Sequence, residues 1–143
     1  MVISLLPDVK KSAQRGLILA RVLVVDDEPL IRWSICFALT AAGFDADSAS
    51  NAEEARRLVG AGVPPRVVLL DVHPDDQPQP LIDQIREISP CSRFLVMSTA
   101  RQTTDTLRRF GDVQIVEKPF DLLKLVSAVS DLARVDAQPV NEL

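Results

Sequence analysis

Along the 143-residue chain, short runs of branched apolar residues alternate with longer stretches in which apolar positions recur every three or four residues. The first run, Arg21-Val-Leu-Val-Val25, is almost uninterrupted and stops at carboxylates, as a strand buried on both faces should. A helix is expected over 28–42, with Pro29 suited to its first turn and Gly43 to its end. Residues 44–49 interleave apolar positions with Asp45 and Asp47, the pattern of a strand at a sheet edge. Asn51 suits the N-cap of a second helix ending near Gly60, and Glu53 and Glu54 fall in its first turn, where the helix dipole favours them. A turn over 61–65 leads to a strand at 67–70. A loop holding Pro74, Pro78 and Pro80 precedes a helix at 81–88. A strand at 94–97, a helix at 103–110, a strand at 113–116 and an amphipathic helix at 121–134 complete the pattern.

Five strands alternating with five helices predict an α/β fold, a parallel sheet between two helical layers. One domain over 21–134 accounts for the pattern. Residues 1–20 read as a flexible N-terminal extension and 135–143 as a C-terminal tail or linker stub. The length suits one hydrophobic core, and 47% apolar with 25% charged residues is an ordinary globular composition. A net charge of −4 argues against a chain that itself grips nucleic acid through a broad basic surface. Cys36 and Cys91 each lie in an apolar run and read as buried, reduced thiols, which suits the cytoplasm. The apolar stretch within residues 1–6 is too short for a signal-peptide core, and Lys10 and Lys11 follow it rather than precede it. No run approaches the ~20 apolar residues that cross a bilayer, so no membrane contact is expected.

Open parallel sheets bind ligands at the carboxyl ends of their strands, and here those ends carry chemistry. The first strand ends in Asp26-Asp27-Glu28 and the third in Asp71. The fourth ends in Ser98-Thr99, and the fifth leads to Lys118-Pro119. Clustered carboxylates repel one another unless a cation neutralises them, and a hard ion such as Mg2+ takes oxygen ligands. A carboxylate can attack phosphorus to form an acyl phosphate, whose developing charge an amine, a hydroxyl and a metal can meet. Each signal alone is more often turn or cap chemistry. Four in order on one rim point to phosphoryl transfer.

Val24-Val-Asp-Asp-Glu-Pro29, the apolar strand ending at Asp71, Met97-Ser-Thr-Ala100 and Glu117-Lys-Pro-Phe120 together resemble the response-regulator receiver family of two-component systems. The likeness covers about residues 21–134. It implies a flavodoxin-like sheet with strand order 2-1-3-4-5, Asp71 as phosphoacceptor, and Mg2+ as cofactor. Asp27 and Asp71 would ligate the ion directly, Asp26 directly or through water, and His73 through its main-chain carbonyl. Thr99 would bond a phosphoryl oxygen, with Ser98 as the fallback one residue away, and Lys118 would pair with the phosphoryl charge. A cis Lys118–Pro119 bond is a further implication. The partners would be a sensor histidine kinase or a histidine phosphotransfer protein upstream, and an effector or a homodimer downstream. Such a chain is a switch with weak self-directed chemistry rather than an enzyme.

The chain also departs from that family. After the acceptor stands Val72-His-Pro-Asp-Asp-Gln-Pro-Gln-Pro80, with its proline one residue early and no glycine. The His73 side chain is expected to be exposed; it and Arg101 are placed to affect how water reaches an acyl phosphate. The family's switch aromatic, which works with Thr99, is replaced by Ile115. On the first helix, Ile31, Ile35, Ala38, Leu39 and Ala42 form a core stripe, while Leu30, Trp33, Phe37 and Ala41 form a second one rotated away from it. Either neighbouring segments cover that second stripe or it is a docking face for a partner. The altered loop and Ile115 keep open a rival reading, a degenerate receiver acting as a phosphorylation-independent interaction module. An aspartyl phosphohydrolase would need a second acid at position 73, and a dinucleotide-binding domain would need glycines where the acids after the first strand stand. Both are set aside. Arg32-Trp-Ser34 hints at regulators whose receivers precede transcription-activating domains.

Overall fold

The computed structural model describes residues 20–73, 76–98, 113–118 and 121–135. The elements run β1 (Arg21–Val25), α1 (Pro29–Ala41), β2 (Asp45–Ala49), α2 (Ala52–Gly60), β3 (Val67–Val72), α3 (Gln79–Ile88), β4 (Arg93–Ser98), β5 (Val113–Glu117) and α4 (Leu122–Val135). The helix expected at 103–110, Thr99, Arg101, the Lys118–Pro119 bond, and residues 1–19 and 136–143 lie outside the described residues. The five strands form one sheet in the order β2-β1-β3-β4-β5, every pair parallel. This is the flavodoxin-like order expected above.

The apolar runs fill both faces of the three central strands. Because side chains alternate along a strand, β1 sends Leu23 and Val25 to one side and Val22 and Val24 to the other. The first pair joins Val68, Leu70, Phe94 and Val96 under Ala55 and Val59 of α2 and Ile82 and Ile85 of α3. The second joins Val67, Leu69, Leu95 and Met97 under Ile35 and Leu39 of α1 and Leu125 and Val129 of α4. At about 1.5–3 kcal/mol for each large apolar side chain buried, these two layers are the principal favourable term holding the sheet. β2 is an edge strand with only Ala49 buried, as its aspartates require.

Helix ends follow their local chemistry. α1 stops in a Schellman motif: Gly43 takes φ +98°, its N–H donates to Thr40 O at 3.0 Å, and the Phe44 N–H donates to Leu39 O at 3.0 Å. Asn51 caps α2 by accepting the Glu54 N–H at 2.8 Å, and Glu54 in return accepts from the Ser50 N–H at 2.7 Å. That backbone bond holds the Glu54 carboxyl below its ordinary pKa. α3 begins two residues earlier than expected because Pro80 is tolerated in the first turn of a helix.

Three expectations need correction. Ala42 is not part of the core stripe: it caps α1 and is exposed, while Ile35 and Leu39 are the buried residues. Cys36 is only half-buried, and Cys91 is exposed. Both thiols are free, as expected; Cys91 sits in the turn before β4, where the apolar run has not yet begun.

Candidate functional site

The carboxyl ends of β1 and β3 come together, and with them the acids. Asp26 follows β1 with 2% of its surface exposed; its Oδ1 accepts the Glu28 N–H at 2.9 Å and its carbonyl accepts from Arg32 at 2.8 Å. Its second oxygen, Oδ2, is buried without a hydrogen-bond partner. Burial, with the charge of Asp71 nearby, pushes the Asp26 carboxyl up to about 6, against the opposing pull of the Glu28 N–H and Lys118. Asp27 is exposed on the rim.

Asp71 lies inside β3, which runs two residues further than the sequence pattern indicated because Val72 is also core. Its carboxylate is 1% exposed. Lys118 Nζ ion-pairs with Asp71 Oδ1. Asp71 Oδ2 has no hydrogen-bond partner, although His73 Nε2 stands 3.2 Å away at ion-pair distance. Lys118 reaches this place because its own N–H extends the β4–β5 ladder to Ser98 O at 2.9 Å. Ser98 is buried beside Glu117 in that ladder. Thus Asp26, Asp27, Asp71, His73 and Lys118 meet on one rim, while Thr99 falls outside the described residues. Ile115, paired with Val96, is partly buried against the α2–α3 side of the core.

The direction of the His73 side chain is what the sequence pattern did not indicate. The side chain is exposed to 45%, as expected of a loop residue, yet it turns towards the acids: Nε2 lies 3.3 Å from Asp27 Oδ1 as well as 3.2 Å from Asp71 Oδ2. The hydrogen bond to Asp27 holds the His73 pKa above its ordinary value, with the Asp71 charge adding to it. Asp76 fixes the backbone there, accepting the His73 N–H at 2.9 Å on its side chain and donating its own N–H to His73 O at 3.0 Å. The carbonyl of His73 retains one lone pair for a cation.

Between these groups lies a cleft of about 330 Å³, lined by Asp26, Asp27, Asn51, Asp71, His73 and Asp76 among others. The oxygen-rich donor set, with Asp26 Oδ2 and Asp71 Oδ2 both buried and met by no hydrogen bond, suits a hard divalent cation, which would add positive charge to that of Lys118. A doubly wound parallel sheet with acids and a lysine on its carboxyl rim defines the class of protein, a signalling receiver domain. The sequence profile of the response regulator receiver domain matches residues 22–130, and the chain belongs to that family. Among curated relatives it is similar to the DNA-binding transcriptional regulator NtrC of Azospirillum brasilense, 31% identical over 122 residues, which cover 84% of this chain and 25% of that protein. Among solved structures it is similar to NtrX from Brucella abortus in complex with ATP, at 25% identity and a TM-score of 0.76, covering 87% of this chain and 29% of that one. A response regulator receiver protein from Sinorhizobium medicae WSM419 matches at 26% identity and a TM-score of 0.70, over 81% of this chain and 95% of that one. The chain therefore spans about a quarter of the NtrC relative's length. Among the described residues no helix is long and apolar enough to cross a membrane.

Proposed function

We propose that this receiver takes a phosphoryl group on Asp71 from a phosphohistidine, borne by a sensor histidine kinase or a histidine phosphotransfer protein in the cytoplasm. The acyl phosphate then biases a two-state equilibrium that an effector or a homodimer contact reads. The observation that carries this reading is the Asp71 carboxylate: almost wholly buried, one oxygen ion-paired with Lys118, the other met by no hydrogen bond, beside two further acids and 3.2 Å from His73 Nε2. A carboxylate in this state has lone pairs with which to attack an incoming phosphorus. An O–P bond to Asp71 forms as the N–P bond of the donor breaks, and the donor imidazole leaves with its ring nitrogen free. Lys118 meets the charge of the phosphoryl oxygens, and Thr99, next in the chain after β4, supplies a hydroxyl to one of them. Mg2+, held by Asp27, Asp71 and the His73 carbonyl with Asp26 beside it, supplies charge neutralisation when bound. Hydrolysis of the acyl phosphate returns the resting state, so the chain is a switch rather than a dedicated enzyme.

The donor is assigned to the face of α1 that carries Leu30, Trp33 and Phe37. These side chains are 74%, 54% and 36% exposed, and the helix that bears them starts directly after the acids. Trp33 and Phe37 stack with ring centroids 5.3 Å apart, a rigid aromatic step of the kind that anchors interfaces. The test is incubation with acetyl phosphate and Mg2+ followed by intact-mass and peptide mass spectrometry. A single phosphoryl adduct on Asp71, lost on chelation of Mg2+ and in Asp71→Asn, is expected. No adduct in folded protein would leave the passive interaction module as the better account.

A further inference from the structure

We propose that the imidazole of His73 is itself a metal ligand, so that this pocket is a two-carboxylate, one-imidazole site that takes a transition-metal dication such as Zn2+ or Co2+ more tightly than Mg2+. The inference rests on the metal-binding reading above and names a ligand that reading does not use. Asp27, Asp71 and His73 each bring one ligand atom to a group lying within 4.8 Å of one another. The His73 Nε2 separations, 3.3 Å to Asp27 Oδ1 and 3.2 Å to Asp71 Oδ2, are informative. Ligands at about 2.1 Å from a common ion stand roughly 3.0–3.4 Å apart in octahedral or tetrahedral geometry. The imidazole is thus already at ligand spacing from both acids.

Three further features favour this assignment. Lys118 occupies Asp71 Oδ1, which leaves Oδ2, buried and unpartnered, as the oxygen that faces His73. Both backbone polar groups of His73 are hydrogen-bonded to Asp76, which fixes the base from which the ring projects. Finally, Asp27 and His73 are 64% and 45% exposed in their side chains, which leaves the outer side of the group open to water or phosphate oxygens. Mg2+ is hard and takes oxygen, whereas imidazole shifts a site's preference towards Zn2+, Co2+ and Ni2+. Ligation at Nε2 places the ring proton on Nδ1.

The chain has one histidine, so any imidazole–metal signal from untagged protein belongs to position 73. Isothermal titration of the full, tag-free chain with MgCl2 and with ZnCl2 in mildly alkaline buffer, repeated on His73→Gln, tests the proposal. NMR of the histidine ring with Co2+ gives a second readout independent of phosphorylation. The expected result is tighter Zn2+ than Mg2+ binding, a Zn2+ affinity on the order of tenfold or more lower in His73→Gln with Mg2+ affinity within about threefold, and paramagnetically shifted ring protons with Co2+. Asp27→Asn should weaken both metals. Equal Zn2+ affinity in wild type and His73→Gln, with ring protons unshifted, overturns the imidazole ligand while leaving the Mg2+ pocket standing. Wild-type protein that binds neither metal overturns the pocket reading and this one together.

Discussion

Leu69 and Asp71 stand two residues apart on β3, their side chains directed to the same face, and both are almost closed to solvent. Leu69 is surrounded by the α1–α4 half of the core, and its burial stabilises the fold. Asp71 is a carboxylate with one oxygen unpartnered, next to a second buried acid with the same defect. The Lys118 ion pair offsets the desolvation of that carboxylate only in part. Two positions of a single strand therefore have opposite energetic signs. The rim of this sheet is kept in an unfavourable state that the body of the sheet underwrites, which is what a site awaiting a cation and a phosphoryl group requires.

The sharpest contrast comes from substituting on each side of it. Leu69→Ala should lower stability by about 2–5 kcal/mol through lost burial and the cavity left behind, read from urea unfolding followed by circular dichroism. Asp26→Asn should act the other way. In metal-free protein the Asp26 carboxyl sits at about 6 in the fold against an ordinary 3.8. The folded state therefore holds a proton that the unfolded chain has released, and this group's stabilising contribution, full below about pH 4, is lost as pH rises through about 6. Asn keeps an oxygen for the Glu28 N–H and cannot ionise. A gain on the order of 1–3 kcal/mol at neutral pH is expected in the presence of chelator, with a flatter stability profile between pH 4 and 6. A loss of stability there would mean that the rim is not costly.

Smaller effects locate the boundary between the two regions. Gly43→Ala should cost about 1–2 kcal/mol, because the left-handed φ penalises any Cβ although nothing stands within 4 Å of the one added. Trp33→Ala removes an apolar group lying in neither region and should change stability by about 0.5 kcal/mol or less, while weakening phosphotransfer from the donor, measured as a raised KM. Smallest of all, Cys91 should react with a thiol reagent before Cys36, whose half-buried thiol is pushed up in pKa by burial; mass spectrometry of partially labelled protein gives the order.

Much of this was legible in the chain. The strand order came from the likeness to the receiver family, whereas the strand pattern was enough to expect a parallel sheet, and the strand ends that Asp26, Asp27, Asp71 and Lys118 occupy were enough to expect their meeting on one rim. Such features depend on periodicity and on which strand end a residue occupies. The direction of His73 was not legible, because a loop side chain's aim is set by backbone bonds such as those of Asp76, which leave no periodic signal. Cys91 misled for a related reason: an apolar neighbourhood in sequence extends past the residue at which the strand begins. The two stripes of α1 could be counted beforehand, but not which of them another segment would cover.

Trp33 has one more consequence. The chain contains no tyrosine, so this indole is its dominant near-ultraviolet fluorophore, and it already stands more than half in water in the native protein. Its emission wavelength should shift little when the domain denatures. Anything that settles on the first helix should move it to the blue. The molecule thus carries an intrinsic optical probe for being touched, largely blind to its own unfolding.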